Sequence, residues 1–363
     1  MNIIIGITHP KHIHMFKNFI WQMEARGHKT LCLVNDKELV SFFLDKYGFN
    51  SIYIGKNIAR FTGKLMQVPG LLIKTLLISL SFKPDIFIGQ AFMHFAYVSR
   101  LLRKPFLILE DTEAAKQLHR FVIPFSDVVF TTSFFQRSLG SKEIKLKCNY
   151  ELFYLHPRYF KPNPDALKYF SLSPQDRYTI VRFVSWDAYH DMGISGLSKE
   201  NKIKAVETFA SYGRVLLSSE TEPPEELKKY QVTIMPDKMH DLMYYATLYY
   251  GESATMAAES SCLGTPAIYL DEQGRGYTDE MEELYGLLFN YKTSCKDQTD
   301  SIVKGESLLR TNDIKRDWQQ KRDRMLQDKL DINAFMIWFV EEYPASESQL
   351  RVNPSIQDRF LKQ

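Results

Sequence analysis

The sequence predicts an α/β chain built from two doubly wound halves, each a parallel sheet with helices on both faces. Three observations carry that class. Short, continuously apolar runs alternate with longer amphipathic ones, the pattern of βαβ units. The alternation is interrupted once by a cluster of prolines and then restarts. The 363 residues are enough for two domains at roughly 100–200 residues each.

Residues 2–7 (NIIIGI) are β-branched and apolar without a break, as a strand covered on both faces requires. Helical spacing follows over 13–26 through Ile13, Phe16, Ile20 and Met23, and Gly27 is the stop signal. Further strands are expected at 30–34, 51–54, 85–89, 106–109 and 127–131, with helices between most of them. Pro157, Pro162, Pro164 and Pro174 then mark a linker, so the domains are set at 1–165 and 166–330. Beyond it, strands are expected at 178–184, 213–217, 231–235, 247–250 and 266–270. Helices fall near 200–211, 224–229, 238–246 and 254–263. The last helix, within 331–343 and ahead of a tail at 344–363, is apolar on several sides and needs a large surface to pack on. Ligands of doubly wound sheets bind at the carboxyl ends of the strands, so the two halves are expected to share a cleft there.

Composition narrows the function. The chain is 45% hydrophobic and 25% charged, so disorder is excluded as a general state. Lys plus Arg number 46 against 43 Asp plus Glu, a net charge of +3 without a basic stripe, which argues against a nucleic-acid partner. Cys32, Cys148, Cys262 and Cys295 are too far apart for a local zinc pattern and read as reduced packing residues of a cytoplasmic protein. The N-terminal run has no charged start and no cleavage site of an export signal. Residues 65–82 approach the length of a bilayer span but contain Pro69, Gly70 and Lys74. They read as a helix packed on a sheet, with peripheral contact to the inner face of a membrane as the alternative, supported by Arg60, Lys64 and Lys74.

In the first half, the loop after the first strand reads Thr8-His9-Pro10-Lys11-His12-Ile13-His14, at the turn that opens onto the ligand crevice. His12 is the candidate general base, with His9 and His14 as substrate-binding residues; no carboxylate nearby completes a zinc motif. After the fifth strand, Glu110-Asp111-Thr112-Glu113 concentrates acids that need a cation, sugar hydroxyls or helix amides beside them. Glu110 and Asp111 are candidate catalytic acids and Glu113 a substrate contact.

The second half opens with Arg182 inside an apolar strand, followed by Ser185, Trp186, Asp187 and His190. An arginine there needs an anionic partner, and a phosphate would serve. Ser219 and Glu220 follow the second strand, Met239 and His240 the third. The clearest pattern is Gly251-Glu252-Ser253-Ala254-Thr255-Met256-Ala257-Ala258-Glu259, leading to Gly264-Thr265-Pro266. Small hydroxylated residues open a helix whose amides suit a diphosphate, and Glu259 can accept from two ribose hydroxyls.

These residues resemble the nucleotide site of glycosyltransferase B-type (GT-B) folds. In that fold two Rossmann-like domains face a cleft, and a C-terminal helix crosses back to the N-terminal domain. The helix start, Glu259 and Gly264-Thr265-Pro266 are similar to the site shared by the peptidoglycan GlcNAc transferase and the non-hydrolysing UDP-GlcNAc 2-epimerases. Glu252-Ser253-Ala254-Thr255 stands where the epimerases have Asp-Ser-Gly-Gly, and Ala258 where they have the first of two paired glutamates. Over nearly the whole chain, THPKHIHMFK, LEDTE, YLHP, RFVSWDAYHDMG, SSE, MHDLMYYA and GESATMAAES resemble the family called domain of unknown function 354, whose members are proposed glycosyltransferases.

The resemblance implies an inverting, metal-independent glycosyltransferase. It would move a sugar from a nucleoside diphosphate sugar, with UDP expected, to a cell-surface glycan or lipid-linked acceptor. The nucleotide-sugar is a substrate and no cofactor is expected. An epimerase acting on UDP-GlcNAc and a catalytically silent nucleotide-sugar-binding subunit are the alternatives.

Overall fold

A computed structural model describes residues 1–36, 39–56, 61–184 and 196–361. In it the chain forms two compact units, Met1–Tyr154 with Lys329–Gln363, and Leu155–Asp328. The proline cluster expected to separate the domains therefore lies inside the second unit.

The first unit runs β1 (Asn2–Ile7), α1 (Pro10–Ala25), β2 (Lys29–Asp36), α2 (Val40–Tyr47), β3 (Ser51–Lys56), α3 (Phe61–Phe82), β4 (Ile86–Gly89) and α4 (Met93–Leu102). It continues with β5 (Phe106–Leu109), α5 (Lys116–Val122), β6 (Val128–Thr132), β7 (Glu143–Leu146) and the short α6 (Leu152–Leu155). Its seven strands are parallel in the order β3-β2-β1-β4-β5-β6-β7. Strands β4, β5 and β6 are buried along their whole length, as their unbroken apolar sequences require. The order reverses between β1 and β4, so the loops that leave these two strands diverge and open a crevice at their carboxyl ends.

The second unit runs β8 (Tyr178–Phe183), α7 (Lys199–Ala210), β9 (Arg214–Ser219), α8 (Met239–Tyr245), β10 (Leu248–Gly251) and α9 (Ala254–Cys262). Then come β11 (Ala267–Leu270), α10 (Gly276–Glu283), β12 (Leu288–Tyr291), α11 (Cys295–Arg310) and α12 (Ile314–Asp328). These five strands are also parallel, ordered β12-β11-β10-β8-β9, with the reversal between β8 and β10. The expected fold class, α/β with two parallel Rossmann-like sheets, is the one observed.

The chain then returns to the first unit through α13 (Ile332–Glu341) and α14 (Ala345–Val352). Phe335 and Phe339 of α13 pack on Phe130 with ring centroids 5.8 and 4.8 Å away, and Asn333 donates to the Phe153 carbonyl at 2.8 Å. A helix apolar on several sides is thus covered on several sides. Burying each such phenylalanine is worth roughly 1.5–3 kcal/mol.

One strand expectation and one helix expectation need correction. Residues 231–235 form no strand; they make only the bridge between Leu217 and Gln231, and Met235 is 46% exposed. Gln231, Thr233 and Met235 are exposed, so the segment gains little from joining the β9 edge. The helix expected near 224–229 is a 3₁₀ turn, Glu225–Tyr230. Strands β7 and β12 were not expected. Cys32, Cys148 and Cys262 are buried and in no disulfide, and Cys295 is exposed. Among the described residues no helix is long and apolar enough to cross a membrane, and no group of metal-ligating side chains is found.

Candidate functional site

In the first unit the carboxyl ends of β1, β4 and β5 hold one connected set of polar side chains. His9 caps α1 by accepting from the Lys11 amide at 3.2 Å, and Pro10 occupies the first turn, where no amide donor is needed. His12 lies one turn further along. Its Nδ1 accepts from the Thr8 amide at 3.2 Å, which leaves the proton of the neutral ring on Nε2. The ring neighbours Phe92, which follows β4. Phe92 lies directly on the strands: a Cβ at Gly6 would stand 2.3 Å from its ring, so glycine lets the aromatic floor settle there.

Lys11 is the centre of this set. Its ammonium is 2.6 Å from Asp111 Oδ2 and 2.9 Å from Glu151 Oε1, with all three side chains buried. Gln90 and Thr112 donate to the other Asp111 oxygen at 3.2 and 3.3 Å. One cation cannot neutralise two buried carboxylates, and their protonation diverges. Burial raises the Asp111 carboxyl, but the Lys11 charge and hydrogen bond, aided by His12 and Thr112, outweigh it and hold Asp111 below the ordinary carboxylate range. At Glu151 burial prevails over Lys11, and the carboxyl is raised. Glu110 is tied down separately, accepting from the Thr112 amide at 2.9 Å and facing His119 Nε2 at 3.1 Å.

In the second unit the carboxyl ends of β8, β9 and β10 carry the expected pattern. Arg182 stands in register with Gly251 on one side and Ser218 on the other. Its guanidinium donates to Ser218 Oγ at 2.6 Å and to Glu220 Oε1 at 2.5 Å, so the anionic partner that it requires is supplied by the protein. Ser253 caps α9, its Oγ accepting from the Met256 amide, and Thr255 lies in the first turn. Glu259 is buried one turn later, with Oε1 3.0 Å from His240 Nε2. Glu252 is also buried and spans two backbone segments. Its Oε2 accepts from the Val184 amide at 3.1 Å and its Oε1 from the Leu197 amide at 2.7 Å.

The structure thus brings His9, His12, Glu110 and Asp111 to one sheet edge, and Arg182, Ser253, Thr255, Glu259 and His240 to another. Ser219 ends β9, and Met239 opens α8 beside His240. Glu113 is half-buried and engaged through its carbonyl, which accepts from Arg137 Nε at 3.1 Å. His14 is placed differently. It sits among Phe43, Tyr47 and Tyr154, with the Phe43 ring 4.4 Å away, as a packing residue between α1 and α2. Ser185, Trp186, Asp187 and His190 lie outside the described residues. Sequence reasoning placed Lys11 and Glu252 in strand-end motifs without giving either a partner, and passed over Glu151. A lysine at the start of an otherwise buried helix was a signal for the first, but nothing local marked its distant partner Glu151.

Residues 1–283 match the family model described as "Protein of unknown function (DUF354)". No curated protein matches the sequence. Among solved structures, the chain is similar to UDP-GlcNAc 2-epimerase from Methanocaldococcus jannaschii, with a TM-score of 0.62 and 14% identity over 86% of this chain and 94% of that one. It is similar to UDP-GlcNAc 2-epimerase from Neisseria meningitidis bound to UDP-GlcNAc, with a TM-score of 0.59 and 11% identity over 90% and 99%. It is also similar to the glycosyltransferase VinC in complex with DTDP, with a TM-score of 0.58 and 9% identity over 90% and 95%. At these identities the likeness is one of fold.

Proposed function

We propose, from the premise that this chain belongs to the DUF354 family, that it is a GT-B-type glycosyltransferase. It would transfer a sugar from a nucleoside diphosphate sugar, UDP-linked, to a cell-surface glycan or lipid-linked acceptor. The observation that carries the reading is the start of α9: a capped helix leaving the carboxyl end of β10 beside the sheet reversal, with Glu259 and His240 paired one turn along. First-turn amides favour a diphosphate, and a buried carboxylate can accept from ribose hydroxyls. Two of the structural neighbours named above were solved with UDP-GlcNAc and with DTDP, which supports a nucleotide-sugar ligand.

In this reading the departing diphosphate is stabilised by α9 amides and by Arg182, which would exchange Glu220 for phosphate, so no metal ion is called on. Inversion requires a base for the acceptor hydroxyl. In the tautomer set by the Thr8 amide, His12 presents Nε2–H as a donor, whereas Asp111 is held ionised by Lys11. Asp111, ionised though weakened as a base by the Lys11 charge, takes the proton in this reading while His12 donates to a substrate oxygen. The reverse assignment, with His12 as base, requires the ring to release the Thr8 amide.

Thermal denaturation with UDP-, GDP- and dTDP-sugars tests the binding step. A rise in Tm with UDP-sugars is expected, and no rise with any nucleotide overturns the reading. The second reading, a nucleotide-sugar epimerase, is favoured by the buried acids Glu110, Asp111 and Glu151 at one sheet edge and by the epimerase neighbours. Conversion of UDP-GlcNAc without an acceptor, with deuterium uptake from solvent, would select it. Binding without turnover of either kind would leave a nucleotide-sugar-binding subunit.

A further inference from the structure

α3 is apolar on two sides: Leu71, Leu72, Leu76, Ile78 and Phe82 pack on the core of the first unit. Its wholly buried positions include Thr75 and Ser79, at 0% and 1% exposure, while Ile73, Leu77 and Leu80 are 60%, 61% and 55% exposed. A helix covering a sheet normally turns its apolar stripe inward and its charges outward. Here the outward stripe has i, i+4, i+7 spacing and, among the described side chains, its one charged residue is Lys74, whose ammonium donates to the Ile54 carbonyl at 3.0 Å. Beside it lies a groove of about 610 Å³ whose lining mixes Ile52, Leu77 and Phe82 with Asn2, Lys29 and Asn50.

The surface continues across the neighbouring helices. α4 packs on α3, and α5 packs on α4. Leu101 of α4 is 66% exposed and Phe121 of α5 is 55% exposed. No Asp or Glu occurs in residues 61–84, 93–109 or 114–126, whereas Lys74, Lys83, Arg100, Arg103, Lys104 and Arg120 do. The bordering acids are already engaged: Asp85 lies 3.7 Å from Lys104 and accepts from the Asn2 amide, and Asp127 accepts from the Phe106 amide. Arg100, Arg103, Lys104 and Lys142 also outnumber Asp127 and Glu347 around a cavity of about 660 Å³ at the end of α4.

We propose that the outer face of α3, α4 and α5 docks on an anionic lipid bilayer, with Ile73, Leu77 and Leu80 entering the interface and the basic side chains meeting lipid phosphates. Exposed leucine and isoleucine over an acid-free basic surface fit a headgroup layer, which offers apolar depth and negative charge together. A second copy of the chain would set like charges against each other.

The test is vesicle co-sedimentation of the full chain. One set of vesicles is pure phosphatidylcholine and the other contains about 30 mol% phosphatidylglycerol, enough to create a negative surface potential. The wild type is expected to pellet with the anionic vesicles and to be released by salt. Ile73→Gln/Leu77→Gln/Leu80→Gln should weaken binding at least tenfold. Arg100→Gln and Arg103→Gln should each weaken it about fivefold, and these exposed polar changes give a second route if the triple variant folds poorly. Equal binding to both vesicle types, no binding to either, or an unaffected pair of arginine variants overturns the proposal. So does a concentration-dependent dimer that the triple change abolishes. Because neither arginine belongs to the nucleotide site, UDP-sugar stabilisation of the arginine variants should match the wild type, so this test and the test of the enzymatic reading fail separately.

Discussion

Gly251 lies so close to Arg182 that no side chain fits between them: a Cβ at 251 would stand 2.3 Å from the Arg182 carbonyl oxygen. The contact fixes the β8–β10 pairing at the sheet reversal, next to the start of α9. Gly251→Ala must push the two strands apart. The expected cost is about 1–3 kcal/mol, the range for overpacking, read as a lower denaturant midpoint with an unchanged m-value.

The Asp111–Lys11–Glu151 group predicts opposite pH effects from its two acids. Asp111 is depressed in the folded state, so its stabilisation is present above the ordinary Asp range and lost as pH falls through its lower native value. Glu151 is raised, so the folded state holds its proton longer than the unfolded chain. Its contribution is full at low pH and lost as pH rises above the ordinary value of 4.5 toward the native one. Glu151→Gln should therefore be more stable than the wild type at neutral pH, and the advantage should shrink as pH falls toward 4.5. Lys11→Met, which leaves two acids buried together, should cost about 3–5 kcal/mol at neutral pH. Urea titrations across pH check both signs, and a Glu151→Gln variant whose relative stability did not change with pH would contradict the assignment.

Much of this architecture was legible because burial on both faces leaves little choice of residue. NIIIGI, FLIL and DVVFT can be stable only inside a covered sheet, and they became β1, β5 and β6. The short edge strands β7 (EIKL) and β12 (LFNY) mix polar and apolar residues as a loop does, so their sequences did not announce them. QVTIM had the right residues, but Gln231, Thr233 and Met235 stay exposed. At the site, strand-end loops located His12, Asp111 and Glu259, because carboxyl-edge position follows from topology. Glu151 is separated from Lys11 by most of the first unit, and Glu252 acts on backbone amides that carry no residue signature.

His94 is buried and stacked on Phe92, with rings 5.7 Å apart at 16°. Burial pushes its imidazole down to about 4 from the ordinary 6.5. The unfolded chain takes up this proton first, so stability should fall as pH drops from 6.5 to about 4. The total is about 3 kcal/mol at most. His94→Phe keeps the stack and should remove that part of the acid sensitivity, and the ring's own NMR titration reports the native value directly.

The His240–Glu259 pair makes a binding prediction. Glu259→Gln keeps the shape but replaces a charged acceptor with a neutral amide, and hydrogen bonds to charged groups are worth about 1.5–3 kcal/mol. UDP-sugar affinity should fall about tenfold or more by calorimetry. Glu220→Gln should leave affinity unchanged or improve it, since it frees Arg182 from a competing carboxylate. Equal losses in both variants would mean that the nucleotide lies elsewhere.

Glu252 is expected to act on the chain rather than on a ligand. Both of its oxygens accept from backbone amides, one at Val184 and one at Leu197, so its carboxylate ties the end of β8 to the segment leading into α7. Glutamine can satisfy only one of these donors, because its NH₂ group would point at the other N–H. Leaving a buried amide unpaired costs about 1–3 kcal/mol, a loss that should be local before it is global. Hydrogen exchange should therefore show protection lost at the Val184 or Leu197 amide in Glu252→Gln, while the amides of β10 and α9 exchange as in the wild type. Faster exchange throughout the second unit would instead make Glu252 a support of the whole sheet. No change at either amide would mean that these two hydrogen bonds do not hold the segments together.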